Sequence, residues 1–291
     1  MGDPTGTTAT LRIGDATFAR VDALHVDEAV SRPFRAEVEF SAVATDPATL
    51  RGAVAAVEVV QPGGRVRYLA GVVDEATVSL QPAVRDGERV HHRAVIVPAP
   101  CWSLRYRRGF RIFQDQTALD IVRALLREGG VEEARVTVDV ARSLPVRPYC
   151  VQYDESDWDF VARLLEDEGV LYTFLHDADG WRMLLLDRSA DAPRATPYAL
   201  PFLAEADPES PTAVAWLGAA RVKLTETAVR VDDYDPTRPA LDLAAEAEAE
   251  GPVARRAYHW GGTHLDPAAN KRAAQQRLDA LRAARSVLTL R

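Results

Sequence analysis

Apolar and polar side chains alternate through the first hundred residues, and the alternation predicts strands. In FRAEVEFSAV, residues 34–43, Phe34, Ala36, Val38 and Phe40 fall on one side and Arg35, Glu37 and Glu39 on the other. A period of two with one wet side is the pattern of a half-buried strand. TATLRIGDATFARVDALHV, residues 8–26, places short apolar runs around Gly14-Asp15, a hairpin signal. Residues 55–80 read as two strands about a Pro-Gly-Gly turn at 62–64, the second continuing past Gly71, and HHRAVIVPAP, 91–100, reads as another. Short strands with turn signals at this pace predict a barrel or a sandwich.

The period then changes to that of a helix. In TALDIVRALLREGG, Thr117 takes the N-cap position, Asp120 follows three residues later, and Leu119, Val122 and Leu126 share a face with Leu125 beside them. Gly129-Gly130 ends the segment. SDWDFVARLLEDEG repeats the grammar: Ser156 caps, Asp159 sits at the third helical position, and Gly169 stops the helix. Asp157 and Asp159 in its first turn offset the positive end of the helix dipole, and the run Glu166-Asp167-Glu168 reads as a solvated face. A hairpin follows, VLYTFLH and WRMLLLD about DADG at 177–180. Two more strands lie in residues 212–235, and the acidic, low-complexity PALDLAAEAEAEGP reads as a loop or a short helix. A last helix opens at Asp266 with Pro267 in its first turn and turns Ala274, Leu278 and Leu281 one way; RSVLTLR then reads as the start of a strand.

Composition bounds the function. The chain has 291 residues, 47% of them hydrophobic, with a formal net charge of −8. An acidic balance argues against nucleic acid or an anionic membrane as the main partner. Lys223 and Lys271 are the only lysines among 35 basic residues and Asn270 is the only asparagine, a bias that GC-rich codon usage explains without a functional cause. The start lacks a basic segment followed by an apolar one, so no signal peptide is read, and no window of eighteen apolar residues predicts a membrane span. Two cysteines, Cys101 and Cys150, give no disulfide framework and no C-x-x-C partner, and read as small buried residues.

Chemical motifs are few. The chain has no phosphate-binding loop, dinucleotide fingerprint, nucleophile elbow or H-E-x-x-H. DESDWD, 154–159, clusters four acids, yet it lacks the sixth-position glycine and distal glutamate of a calcium loop. His91 and His92 point to opposite faces of a strand, and the spacing of His259 and His264 across WGGT reads as a turn. No metal and no cofactor is expected. RYRRGFR, 105–111, mixes arginines with Tyr106 and Phe110; given the acidic total it reads as a subunit or partner interface, with a solvated loop as the plain alternative. An enzymatic alternative remains, a hydrolase using Glu155 with Asp157 or Glu166 with Glu168.

YLAGVVDEATVSL (68–80), FRIFQDQTALDIVRALL (110–126), RPYCVQYDESDWDFVARLLEDEGVLYTFLH (147–176), VDDYDPTRPALDL (231–243) and RLDALRA (277–283) together resemble the N-terminal region of the VgrG family, the spike proteins of bacterial type VI secretion, and through it the hubs of contractile phage tails. The family positions matched are Arg111, Phe113, Cys150, Val151, Gln152, Tyr153, Glu155, Ser156, Asp157, Phe160, Leu164, Glu168, Gly169, Asp233 and Tyr234, all expected to serve structure and none catalysis. The resemblance implies a β-rich α+β fold with two small related barrels and helical insertions: residues 1–110 as the first barrel, 111–190 as a helix–strand segment contributing to the second, and 191–291 as its remainder with the last helix. It implies a homotrimer that docks on a hexameric tube protein, meets baseplate proteins and carries effectors or adaptors. Assembly would be cytoplasmic, with export by contraction. YHWGG at 258–262 departs from the family's YPG, and the OB-fold neck and β-helix needle that follow the last helix in the family are not expected within residues 1–291. A phage or related particle hub is the alternative.

Overall fold

The computed structural model describes residues 7–61, 64–79, 89–192, 218–251, 255–260 and 265–290. It is strand-rich, with several sheets. The first sheet takes β1 (Thr8–Ile13), β2 (Ala16–Phe18), β3 (Val21–Ala29) and β4 (Arg32–Val43), then a short helix α1 (Pro47–Leu50), then β5 (Val54–Val60), β6 (Val66–Val78) and β7 (Arg89–Val97). Its strands run in the order β2-β1-β5-β6-β7-β4-β3 and every pairing is antiparallel. The alternation of β4 becomes burial: Phe34, Ala36, Val38, Phe40 and Ala42 face the core while Arg35, Glu37 and Glu39 do not. Gly14 turns β1 into β2 with a φ of 55°. Of the Pro-Gly-Gly turn, residues 62 and 63 lie outside the described residues.

The sheet curls upon itself, so that Phe18 of β2 meets Phe40 of β4 at 4.6 Å, and β6 is buried from Leu69 to Asp74. Gly71 is required there, because a Cβ would stand 2.2 Å from the Val97 carbonyl oxygen. Beyond Val73 a register shift bends β6 away. Its pairing ring is open among the described residues, since β2 and β3 stand at the two ends of the order.

Next come α2 (Ala99–Arg105), β8 (Arg108–Phe113), β9 (Gln116–Thr117), α3 (Ala118–Glu128), β10 (Val136–Asp139), β11 (Val146–Arg147), β12 (Cys150–Ser156), α4 (Asp157–Glu168), β13 (Leu171–Asp177) and β14 (Gly180–Leu186). Helix α3 carries the capping box read from sequence: the Thr117 hydroxyl accepts from the Asp120 N–H and Asp120 returns to the Thr117 N–H. It buries Ile121, Val122, Leu125 and Leu126, each worth about 1.5–3 kcal/mol of transfer free energy. Helix α4 buries Trp158, Phe160, Val161, Leu164 and Leu165, and Gly169 ends it in the left-handed region at φ 63°. One continuous core joins the first sheet, these helices and the β13–β14 hairpin, from Leu11 to Leu185. The hairpin is tied to the first sheet at the β3–β4 turn, where the Ser31 N–H donates to the Tyr172 carbonyl at 2.8 Å.

Residues beyond 217 form a smaller core. Strands β15 (Gly218–Val222), β16 (Ala228–Asp232), β17 (Ala245–Glu248) and β18 (Arg256–Trp260) precede α5 (Pro267–Arg285) and β19 (Ser286–Leu290). β15 pairs with β19, whereas β17, β16 and β18 form a separate sheet. Val229, Val231 and Ala247 of that sheet pack with Ala274 and Leu278 of α5. The Ala-Glu run read as a loop or short helix is therefore strand β17. Its strict alternation turns Ala245 and Ala247 toward α5 and Glu246 and Glu248 outward. Asn270 is fully buried and donates to the Leu243 carbonyl at 2.9 Å. The upstream part of the strand read over residues 212–217 lies outside the described residues.

The hairpin also carries a half-buried histidine. His176 Nδ1 accepts from the Ala70 N–H of β6 at 3.2 Å, and its ring meets Phe34 edge-on at 5.0 Å. Burial, reinforced by the Arg67 cation and opposed by Asp177, pushes its pKa from 6.5 down to about 4. The folded state thus requires the neutral ring, and the unfolded chain takes up the proton first as pH falls. This contribution is complete above pH 6.5 and is lost as pH drops toward 4, by on the order of 2–3 kcal/mol. Urea unfolding at pH 7.5 and 4.5 is expected to show wild type losing more stability than His176→Gln. Identical losses in the two proteins would contradict this role.

Candidate functional site

The acid-rich stretch at 154–159 stands where β12 turns into α4, and its residues have separate fates. β12 pairs antiparallel with β8 as a two-stranded ribbon, setting Cys150 opposite Phe113, Gln152 opposite Arg111 and Tyr153 opposite Phe110. A bulge follows at Asp154, whose φ is +46°. Aspartate tolerates that region better than most side chains, and the Asp154 carboxylate accepts from Arg108 Nε at 2.9 Å. The bulge leaves Tyr153 and Asp154 both exposed and delivers Ser156 to the N-cap. There the Ser156 hydroxyl accepts from the Asp159 N–H at 3.0 Å and donates to the Asp159 carboxylate at 2.7 Å.

Asp157 does more than offset a dipole. It is 1% exposed and is the centre of an ion-pair cluster. Arg111 Nη2 and Gln152 Nε2 both donate to Oδ1, the latter at 2.8 Å, while Arg107 Nε lies 3.1 Å from Oδ2. Arg111 Nε also donates to Gln152 Oε1 at 2.9 Å. Glu128 closes the cluster by accepting from Arg107 Nη2 and Arg111 Nη1, each at 2.8 Å. The Arg107 hydrogen bond first, and Arg111 with it, holds the Glu128 carboxyl below its ordinary range. Two guanidinium groups thus face two carboxylates. Of the arginines read as an interface patch, Arg107 and Arg111 turn to Asp157 and Arg105 pairs with the buried Asp74, while Arg108 pairs with Asp154 at the surface.

The far end of α4 repeats the device. Glu168 is 3% exposed, so the acidic run at 166–168 is not a uniformly solvated face; Glu166 alone is fully outside. Arg147, itself 2% exposed, donates to Glu168 Oε1 from Nη2 at 2.6 Å and from Nε at 3.2 Å. Arg147 was not singled out from the sequence, because an arginine beside a proline carries no burial signal. Between the two ends, Arg163 grips Glu155 with a two-pronged contact at 2.6 and 3.1 Å and donates to the Val151 carbonyl at 3.0 Å. Phe113 and Phe160 pack at 5.6 Å, Leu164 is buried, and a Cβ on Gly169 would collide with the Gln276 carboxamide of α5.

Asp233 and Tyr234 lie apart from this cluster, after β16. Asp233 accepts from the Tyr234 N–H at 2.8 Å and the tyrosine is exposed. The organising acid there is Asp235, missed in the sequence although Asp-Pro-Thr-Arg spells a side-chain-capped turn. It accepts from the Thr237 hydroxyl at 2.6 Å, the Thr237 N–H at 2.8 Å and Arg238 Nε at 2.7 Å, which bring its pKa down to about 2.

The carboxylates weighed for hydrolysis are therefore parted among different arginines: Glu155 to Arg163, Asp157 to Arg107 and Arg111, Glu168 to Arg147. Among the described residues no cluster of three or more His, Cys, Asp or Glu side chains is placed to hold a metal ion. His91 is exposed and His92 is buried, as their alternation requires; His264 lies outside the described residues. Cys101 and Cys150 are buried free thiols. No described helix is long and apolar enough to cross a membrane.

Stability follows from this geometry. Arg147→Ala strands a buried carboxylate and is expected to cost about 3–5 kcal/mol, whereas Ser156→Ala removes one cap and is expected to cost about 1 kcal/mol. Denaturant titration of both variants checks the ranking, and equal costs would refute it.

Comparison with known proteins gives one consistent answer. The family described as phage tail baseplate hub (GPD) matches residues 27–291. A type VI secretion system spike protein of Pseudomonas aeruginosa, VgrG1a, is 28% identical over 240 residues, covering 79% of this chain and 35% of its own; the chain thus spans about a third of that relative. Among solved structures, an Escherichia coli component of the type VI secretion system, itself similar to the T4 bacteriophage tail proteins gp27 and gp5, superposes with a TM-score of 0.56 at 22% identity, covering 74% of this chain and 56% of that one. A tail protein of Neisseria meningitidis superposes with a TM-score of 0.68 at 13% identity over 98% of this chain and 80% of its own. With a hub-family match along most of its length, borne by a strand-rich fold that tail proteins share, the chain belongs to the phage tail baseplate hub family.

Proposed function

We propose that this chain is the hub of a bacterial contractile injection machine of the type VI secretion kind. Three copies surround a threefold axis and present a ring to a hexameric tube protein on one side and to the spike on the other. Baseplate proteins hold the ring, effectors or adaptors ride with it, and contraction exports it. The work is mechanical and no bond is made or broken by it. The match to the hub family over residues 27–291, with VgrG spike proteins among the relatives, carries this reading. The closure of the candidate acids by arginines supports a structural role, since a carboxylate engaged by two guanidinium groups is a poor base or nucleophile.

Two small barrels per subunit would supply six similar faces from three chains, the simplest conversion of threefold to sixfold contact. The curled first sheet suits one of them. The tail-protein superposition, which extends over 98% of this chain, favours a second reading: a hub of a phage tail or a related particle. Both place the same ring at the end of a tube and differ in the machine around it.

Native mass spectrometry over a concentration series is expected to show a threefold species, and sedimentation is expected to show it bound to a hexameric tube protein of a type VI secretion system. A monomer at every concentration would overturn the ring. A trimer that binds only a phage tube protein would replace the first reading with the second.

A further inference from the structure

The β8–β12 ribbon has two unlike faces. Its inner face carries Arg111 and Gln152, locked to Asp157, and Phe113 against Phe160. The outer face is apolar: Phe110 is 65% exposed, Ile112 60%, Tyr149 59% and Tyr153 74%, with Val151 partly buried among them. The register sets Tyr153 opposite Phe110 and Val151 opposite Ile112, and the Phe110 and Tyr153 rings meet edge to face at 5.1 Å. Side chains of this size bury about 150–250 Å² each, so the face leaves on the order of 500 Å² of apolar surface in water. That is the upper range of what a monomer exposes and more than half of the roughly 800 Å² that each partner gives to a stable interface.

A second aromatic face lies on β18, an edge strand among the described residues, where Tyr258 is 56% exposed and Trp260 63%. Each face is bordered by an ion pair already satisfied within the chain. Arg108 binds Asp154 at 2.9 Å beside the ribbon, and Arg256 binds Glu246 at 2.7 Å beside Tyr258. An apolar aromatic centre with a polar margin is the anatomy of a protein–protein contact, and neither margin brings an uncompensated charge cluster into it.

A twofold joins a patch to itself, but a closed threefold ring joins two different patches, head to tail. We propose that the ribbon face of one copy seats against the Tyr258–Trp260 face of the next, so that these two strands are the joint between subunits of the ring. This rests on the ring reading above. The ion-pair cluster behind the ribbon fixes its backbone and side-chain order in advance, which lowers the entropy lost on association.

Sedimentation velocity and native mass spectrometry of the full chain test the joint. The double variant Phe110→Arg with Tyr153→Arg, and separately Trp260→Arg, are expected to weaken trimer formation about thirtyfold or more, as loss of interface hot spots does. Val43→Arg, at a position 53% exposed on β4, is expected to leave it unchanged. Copies carrying Tyr153→Cys mixed with copies carrying Trp260→Cys are expected to cross-link to each other through a short bismaleimide, against a background of two buried native thiols. Ribbon variants that trimerise as wild type does would overturn the joint while the ring stands. Cross-links formed only between Tyr153→Cys copies would overturn the pairing with β18. A wild-type chain monomeric at every concentration would remove the ring and the joint together.

Discussion

Arginine forks hold the carboxylates that α4 carries into the interior. Asp157 at its first turn meets Arg107 and Arg111, and Glu168 at its last turn meets Arg147. A buried carboxylate without a partner is costly, and the cost is offset only where the remaining lone pairs are also engaged. At one end Gln152 adds a second hydrogen bond to Asp157 Oδ1 and the Arg107 cation stands 3.1 Å from Oδ2, which has no hydrogen bond of its own; at the other, two nitrogens of Arg147 converge on one oxygen. The constraint fixes geometry more than it adds stability. Asp157 sits correctly only if β8 and β12 are paired in their observed register, and Glu168 only if the β11 segment lies against the end of α4. The helix is thereby indexed to the strands on both of its flanks.

From that indexing follows the two-sidedness of the ribbon. A two-stranded ribbon alone is marginal in water. This one is held by its inner face, through charge, carboxamide and the Phe113–Phe160 contact, and its outer face is left to display aromatic rings. The bulge at Asp154 works in the same direction, turning both Tyr153 and Asp154 outward before the cap. A rigid apolar face on a rigid support suits a protein that acts by fitting against others.

The local pattern was legible along much of the chain. The alternation of Phe34 to Phe40, the Gly14-Asp15 turn, the capping box at Thr117 and the cap at Ser156 all read directly, because each depends on residues within a few positions of one another. The Ala-Glu run at 245–248 misled because low complexity hid a period of two; its partner β16 and the face of α5 made it a strand. The resemblance carried the family, and with it the expectation of a hub.

What sequence by itself determined, then, is where α3 and α4 begin and end, which face of β4 is apolar, and to which family the chain belongs. Tertiary structure alone decided which charges are buried. Arg147 and Glu168 are 21 positions apart and Arg111 and Asp157 are 46 apart. Nothing local separates them from Arg108 or Glu166, which stay in water. An ion pair is set by distance in space and by the water that packing removes, and both exist only once the chain has closed on itself.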